Sequence, residues 1–174
     1  MIEKEFKYLV NLQNIPKKVF GCDFVDIEQG YISDVCDLDT EMRVRIETQS
    51  GQKRYILAIK KETGTKGERI EAEIELSEED FKEIWILTEG KRLWKRRYLI
   101  PYELSDKRTI FMELDVFQGD LIGYVTLEIE EKRKDDLKSF VPPVWIGENV
   151  TGDKKYSNKN LVFCKLEVIC YEEI

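Results

Sequence analysis

The sequence of 174 residues contains no histidine, and its four cysteines form no Cys-x-x-Cys pair. Zinc sites and Cys/His nucleophilic pairs are built from these two residue types, and zinc ligands recur at short, regular spacings. The sequence therefore argues against both kinds of site. We expect the scattered cysteines to be buried thiols; they are Cys22, Cys36, Cys164 and Cys170.

Long apolar segments and an excess of basic residues are also missing. No segment approaches the run of about 20 apolar residues that spans a bilayer, and Glu3 and Glu5 lie where a secretory signal has basic and then apolar residues. We therefore expect a cytoplasmic protein without a membrane partner. The net charge of −7 argues against a nucleic-acid-binding surface. The length and the lack of repeats or linkers predict a single domain over residues 1–174.

Charged and apolar residues alternate along much of the chain. In IEKEFKYLV, residues 2–10, Glu3, Glu5 and Lys7 share one face of a predicted strand, and mostly apolar side chains share the other. About eight such segments occur, which is the number of strands at which a small β-barrel can close. The other segments are FVDIEQGYI, EMRVRIE, YILAIKK, RIEAEIELS, LWKRRYLIP, IFMELDVF and VTLEIEEK.

The segments between these strands suit an antiparallel fold. TQSGQ (48–52) predicts a tight hairpin turn, and ETGTKG (62–67) predicts a looser one. SEEDFKEIWILTEG predicts a helix, because Ser77 can cap its amino end and acidic residues follow in the first turn. We also predict short helices at 15–20, 135–140 and 153–161, and a final strand at 164–171.

The alternating charges have two interpretations. A charged row on a strand is often the solvated face of a half-buried sheet. Here, however, the polar faces are nearly all charged, and acidic pairs and basic pairs lie on different strands. If the charged faces pointed into a barrel, roughly ten charges would meet there and would need partners or a ligand. Acidic clusters attract divalent cations and basic clusters attract phosphate oxygens, so a metal-bound polyphosphate would satisfy both.

The motif Glu3-x-Glu5-x-Lys7 resembles the signature of the CYTH superfamily, the triphosphate tunnel metalloenzymes. This superfamily includes thiamine triphosphatases, bacterial inorganic triphosphatases, class IV adenylyl cyclases and fungal RNA triphosphatases. The order of segments and the tail resemble the small bacterial inorganic triphosphatases most. Matching segments are QGYI (29–32), RVR (43–45), Lys60, ERIEAEIE (68–75), WKRRY (94–98), MELDVFQG (112–119), LEIE (127–130) and FVPPVWIGENVTGDKKYSNKNL (140–161).

The resemblance implies an α+β, mainly β fold. In this superfamily an eight-stranded antiparallel β-barrel closes around a charged tunnel that binds triphosphate, and short helices pack outside. The resemblance also implies a divalent cation, Mg²⁺ or Mn²⁺, held by Glu3, Glu5, Glu128 and Glu130. An all-oxygen site for a hard cation agrees with the absence of histidine.

The remaining charged residues receive roles from the same resemblance. The phosphate ligands would be Lys7, Arg43, Arg45, Lys60, Arg97 and Lys155, which is one of three tail lysines, Lys154, Lys155 and Lys159. These lysines either reach the tunnel mouth or lie on a solvated helix face. A second acidic set would bind another metal, order the basic side chains, position water, or balance charge alone. Its members are Glu71, Glu73, Glu113 and Asp115.

Tyr31 and Lys95 match a catalytic pair of the inorganic triphosphatases. A lysine among other cations can have a lowered pKa and take part in proton transfer. The alternative for Tyr31 is a packing role within a strand.

The resemblance predicts a metal-dependent hydrolase that cleaves the terminal phosphoanhydride of inorganic tripolyphosphate. A class IV-type adenylyl cyclase is one alternative, but the sequence has no adenine-binding feature and no histidine-containing amino-terminal motif. A nucleoside or thiamine triphosphatase, a non-catalytic polyphosphate-binding module and a plain structural barrel are the others. The sequence leaves the oligomeric state open, a homodimer included.

Overall fold

A computed structural model of the protein describes residues 2–32, 40–65, 68–131 and 140–163, with the backbone alone at 2–4 and 131. Strands account for most of these residues. They are β1 (Ile2–Leu9), β2 (Phe24–Tyr31), β3 (Thr40–Gln49), β4 (Gln52–Glu62), β5 (Glu68–Glu75), β6 (Arg92–Glu103), β7 (Thr109–Gln118) and β8 (Val125–Glu131).

The strands form one antiparallel sheet in the order β1-β5-β4-β3-β2-β6-β7-β8. The sheet is strongly curled, because β1 pairs with β8 from Lys4↔Glu131 to Leu9↔Thr126 and with β5 from Ile2↔Ile70 to Lys4↔Glu68. The prediction of a mainly β fold built from eight antiparallel strands is confirmed.

The predicted tight turn joins β3 to β4. Ser50 and Gly51 both have positive φ angles, 50° and 80°, and they separate the register partners Gln49 and Gln52. Two positive φ angles give a two-residue hairpin the twist that suits its strands. The turn therefore sets the register that places β3 and β4 side chains opposite each other.

Helices connect or flank the strands. Helix α1 (Glu78–Trp85) begins where predicted, and the Ser77 hydroxyl accepts a hydrogen bond of 3.1 Å from the Asp80 amide. The predicted helix at 15–20 is a 3-10 turn at Lys17–Gly21, and the one at 153–161 consists of a 3-10 turn at Lys154–Tyr156 followed by α2 (Asn158–Phe163). Further 3-10 turns occur at Leu12–Asn14, Ile86–Thr88 and Gly119–Leu121.

Two predicted elements, the helix at 135–140 and the strand at 164–171, fall wholly or largely outside the described residues. None of the described helices combines the length and the apolar character needed to cross a membrane.

The main apolar core lies outside the curled sheet. On β7 and β8, Leu114, Leu127 and Ile129 are fully buried and face away from the charged interior. Val19 from the 3-10 turn and Phe140 pack against this face. Because side chains alternate along a strand, covering the apolar face leaves the charged face to line the interior.

Candidate functional site

The inward faces of the strands enclose a cavity of about 240 Å³. Its lining is dominated by charged side chains. The acidic ones are Glu5, Glu41, Glu47, Glu62, Glu71, Glu73, Glu113, Glu128, Glu130 and Asp153, and the basic ones are Lys7, Arg43, Arg45, Lys60, Arg69, Lys95, Arg97 and Lys154. The charged interior predicted from the alternating pattern is therefore present.

On one side of the cavity, Glu128 of β8 binds two cations. The Lys7 ammonium donates to Oε1 of Glu128 at 2.7 Å, and Arg97 donates to Oε2 at 2.7 Å. Burial opposes ionisation of Glu128, but Lys7, Lys95 and Arg97 outweigh it and hold the pKa of the carboxyl well below its usual range. Glu128 is therefore ionised at neutral pH.

The opposite side combines basic residues of β3 and β4 with acidic residues of β5. Lys60 Nζ lies 2.8 Å from Glu71 Oε2, and Arg43 Nη2 lies 3.7 Å from Glu71 Oε1. Arg45 Nη2 lies 2.9 Å from Glu73 Oε1. All five residues were predicted to face a tunnel. The acids of β5 thus bind the predicted phosphate ligands of β3 and β4.

Asp115 is fully buried and lies behind two of the cavity's cations. Arg97 donates to it through Nε and Nη2, both at 2.7 Å, and the Lys95 ammonium also donates to it. Burial and Arg97 lower the pKa of Lys95, whereas Asp115 opposes that shift. Of the roles considered for Asp115, ordering of the basic side chains agrees with these contacts.

Three carboxylates form an acidic cluster, consisting of Glu113, Glu128 and Glu130, in which one oxygen of each lies within 4.8 Å of the others. Burial raises the pKa of Glu113 to about 7; Arg97 opposes the shift, and Glu130 with the neighbouring acids adds to it. Oxygen donors at this spacing suit a hard divalent cation such as Mg²⁺ or Mn²⁺. The acidic cluster can therefore hold a metal.

The predicted metal ligands overlap this cluster in part. Glu5 lines the cavity, and burial together with Glu128 raises its pKa. The side chain of Glu3 lies outside the described residues. Glu113 belongs to the predicted second acidic set. It lies in the acidic cluster because it is the register partner of Glu128. Alternating acids on two adjacent strands were the signal for this pairing, but their register could not be read from the sequence. The choice of cation ligands stays a prediction.

Tyr31 is fully buried in an apolar cluster, called the end cluster here, that consists of Tyr31, Leu93, Phe117, Leu121 and Leu161, and it is not among the described residues that line the cavity. Its hydroxyl accepts a hydrogen bond of 2.6 Å from Gln29. Burial and Glu41 raise its pKa well above the usual range, although Arg43 opposes this. Lys95 Nζ lies 5.6 Å from the centre of the Phe117 ring, so Lys95 borders the same cluster. The paired catalytic role of Tyr31 and Lys95 stays a prediction.

Residues near the end of the described chain, within 153–158, also line the cavity. Lys154 belongs to the lining, whereas Lys155 is exposed with its ammonium 5.3 Å from the centre of the Tyr156 ring. Ser157 and Asn158 also line the cavity, and sequence reasoning missed both. They lie in and beside short helical turns, where no period-2 pattern marks an inward side chain.

Arg69 of β5 was likewise not assigned a role. It lies 3.6 Å from Glu5 and donates to Glu62 at 3.1 Å. Its position in phase with Glu71 and Glu73 was the available signal.

No known protein-family model matches the chain. Two curated relatives do. The chain is 37% identical over 137 residues to an inorganic triphosphatase from Nitrosomonas europaea, covering 79% of this chain and 83% of the relative. It is also 37% identical over 135 residues to an inorganic triphosphatase from Acetivibrio thermocellus, covering 77% and 78%.

Solved structures agree with these relatives. The crystal structure of the inorganic triphosphatase NE1496 superposes with a TM-score of 0.60 at 34% identity, over 92% of this chain and 94% of that one. The Hippeastrum protein HpAC1 has the same fold, with a TM-score of 0.52 at 13% identity over 79% and 82% of the two chains. By this similarity the chain belongs to the inorganic triphosphatase family of the CYTH superfamily.

Proposed function

We propose that the protein hydrolyses the terminal phosphoanhydride of inorganic tripolyphosphate, using Mg²⁺ or Mn²⁺, to give pyrophosphate and phosphate. The observation that carries this proposal is the acidic cluster beside Lys7 and Arg97 in one cavity. A metal site adjoining phosphate-binding cations is the arrangement that phosphoryl transfer to water requires. Membership of the inorganic triphosphatase family supports the same reaction.

The cavity is part of a closed tunnel in this proposal. Pairing of β1 with β8 on one side and with β5 on the other supports closure. A closed sheet would surround the triphosphate with charged side chains and limit the access of water.

The metal would be held by the acidic cluster of Glu113, Glu128 and Glu130, with Glu5 nearby. Carboxylate oxygens are suitable donors for Mg²⁺ or Mn²⁺, and no histidine is present in the chain to favour a softer metal. When bound, the divalent cation would neutralise charge on the phosphates and orient the substrate.

The protein's own side chains perform the other tasks. Lys7, Arg97 and the cations of β3 and β4 would bind phosphate oxygens, with arginine able to donate two hydrogen bonds at once. Asp115 would hold Lys95 and Arg97 in place. Glu113 lies in the acidic cluster and accepts a hydrogen bond from Arg97, so it would help to hold the metal and to orient Arg97.

The lining favours an inorganic substrate. Among the described residues that line the cavity, none is aromatic, whereas recognition of a base or a thiamine ring commonly uses aromatic stacking. A nucleoside triphosphatase or an adenylyl cyclase would need a further organic pocket. Binding without turnover would instead identify a polyphosphate-binding module.

Phosphate release from tripolyphosphate, ATP and thiamine triphosphate tests the substrate assignment. Each substrate is supplied with Mg²⁺, Mn²⁺ or EDTA, and Lys95→Ala serves as the inactive control. We expect hydrolysis of tripolyphosphate that requires metal and is lost in the variant. Preferential hydrolysis of ATP, or formation of cyclic AMP, would contradict the proposal.

A further inference from the structure

Asn158 is a buried polar residue of the cavity for which the reaction described above has no role. It is 9% exposed and belongs to the lining. Its side-chain oxygen Oδ1 is buried and has no hydrogen-bond partner among the described residues. Buried polar atoms nearly always have partners, since leaving one unpaired costs free energy. A buried carbonyl oxygen without a donor has no fixed partner that holds the amide in this orientation, so the amide is able to turn toward a ligand in the cavity.

The position of Asn158 is fixed by its neighbours on α2. Leu161, one helical turn later, is 2% exposed and packs into the end cluster. Residues three apart lie on the same face of a helix, so this packing holds Asn158 toward the same region of the interior. The Leu161 amide donates to the Ser157 carbonyl at 3.0 Å, and the Asn160 side chain donates to the Lys154 carbonyl at 2.6 Å. The amide of Asn158 is thus presented on an anchored turn.

The surroundings indicate an anionic ligand with several oxygen atoms. Lys154, four residues earlier, also lines the cavity and contributes positive charge. A carboxamide has two N–H donors and one acceptor oxygen, and rotation about its last bond can present either side. When the amide turns about that bond, its N–H donors take the place of the unpaired oxygen and can donate to a phosphate oxygen, and hydration water can donate to Oδ1.

We infer that Asn158 is a substrate-binding residue that donates hydrogen bonds to a phosphate of bound tripolyphosphate. This inference rests on the proposed function. Leu161, on the next turn of α2, belongs to the end cluster, so Asn158 lies between that cluster and the charged lining of the cavity. The neutral amide would add a directed contact without adding a further charge to the interior.

The alternative is a structural role, in which Asn158 only fills space or binds a water molecule. Two substitutions separate these roles. Asn158→Asp keeps the size of the side chain but replaces the donors with a negative charge, which would repel phosphate. Asn158→Ala removes the amide and its unpaired oxygen. Asn14→Asp is the matched control, because Asn14 is exposed at the end of a 3-10 turn and undergoes the same change of charge.

The test uses the full-length protein with Mg²⁺ and a tripolyphosphate analogue whose bridging oxygens are replaced by NH groups. Isothermal titration calorimetry measures binding, steady-state kinetics measures KM and kcat for tripolyphosphate, and thermal unfolding without ligand measures folding. For Asn158→Asp we expect binding at least about tenfold weaker and a raised KM, because a hydrogen bond to a charged group is lost and repulsion is added. Asn158→Ala should weaken binding less, and without ligand it should be no less stable than the wild type.

Binding and KM unchanged in both variants, with a lower melting temperature without ligand, would overturn the inference and leave a structural role. Loss of binding in Asn14→Asp as well would also overturn it, because the effect would then come from net charge. If wild-type protein neither binds the analogue nor cleaves tripolyphosphate, the proposed function fails too. These patterns are distinct, so failure of the inference is distinguishable from failure of the function.

Discussion

Lys7 Nζ lies 2.7 Å from Glu128 Oε1, with both side chains buried in the wall of the cavity. Arg97 binds the other oxygen of the same carboxylate. The cations that would bind phosphate are thus neutralised by acids when no ligand is bound. In the proposed reaction, phosphate would take the place of the carboxylates at these cations, and the metal would bind the carboxylates. Pairing of this kind offsets the cost of burying many charges in one cavity wall.

Replacing Glu128 tests this interpretation. Glu128→Gln leaves Lys7 and Arg97 without a shared buried anion, so the free energy of unfolding should fall by roughly 3 kcal/mol. Metal-dependent hydrolysis should also be lost. The control is Glu75→Gln, since Glu75 lies 3.5 Å from Arg54 in an exposed pair and should cost less than about 1 kcal/mol. Urea unfolding measures the free energy of unfolding of both variants. An equal decrease in the two variants would refute the role of Glu128 in neutralising Lys7 and Arg97.

Asp115→Asn should impair activity by disordering two cations. Lys95 and Arg97 would lose the carboxylate that holds them, and we expect kcat to fall by about tenfold or more with a smaller change in KM. Asp26 offers a matched control, because it binds Arg96 through the same two-bond geometry at 2.7 and 2.8 Å on the outside of the sheet. Asp26→Asn should leave kcat unchanged. A similar kcat in Asp115→Asn and wild type would contradict the positioning role.

Glu113 should make the metal-free protein less stable as pH rises toward neutrality. Its pKa is raised from an ordinary value of 4.5 to about 7, so between these values the folded state binds a proton that the unfolded state has lost. The stabilisation is complete below pH 4.5 and is lost as pH rises through about 7, a change of up to roughly 3 kcal/mol. Urea unfolding with EDTA from pH 5 to 8 measures it. Glu113→Gln should reduce the slope, and an unchanged slope would contradict the assignment.

Gly30 should not tolerate a side chain. A Cβ atom there would lie 2.5 Å from Cβ and Oγ1 of Thr88, which is fully buried. We expect Gly30→Ala to lower the free energy of unfolding by about 1–3 kcal/mol, because the 3-10 turn containing Thr88 must move away from β2. Gly21→Ala is the control, since nothing lies within 4 Å of its added Cβ. Equal melting temperatures in the two variants would show that the turn adapts freely.

The strands and their inward faces could be predicted because alternation in an antiparallel sheet is a local property of the sequence. Thus Lys60 and Glu71 were both expected to face inward, and they pair at 2.8 Å. Which residues meet across the interior depends on register and tilt, which alternation does not contain. For this reason the sequence placed Glu113 in a second acidic set apart from Glu128, whereas the register of β7 and β8 puts the two residues opposite each other.

Residues outside strands were harder to predict. Asn158 lies on a six-residue helix, where the sequence has too few turns to define a buried face. Lys154 and Lys155 are adjacent in the chain, but Lys154 alone of the two lines the cavity. Which of two adjacent side chains points into the cavity depends on the exact path of a short turn over the sheet.

The central claim is tested most directly by separating tripolyphosphate, pyrophosphate and phosphate by anion-exchange chromatography after incubation with wild-type protein and either Mg²⁺, Mn²⁺ or EDTA. We predict that each tripolyphosphate is converted to one pyrophosphate and one phosphate with metal, and that it persists with EDTA. Tripolyphosphate that stays intact with both metals, although the protein binds it, would contradict the account and leave a binding protein in place of an enzyme.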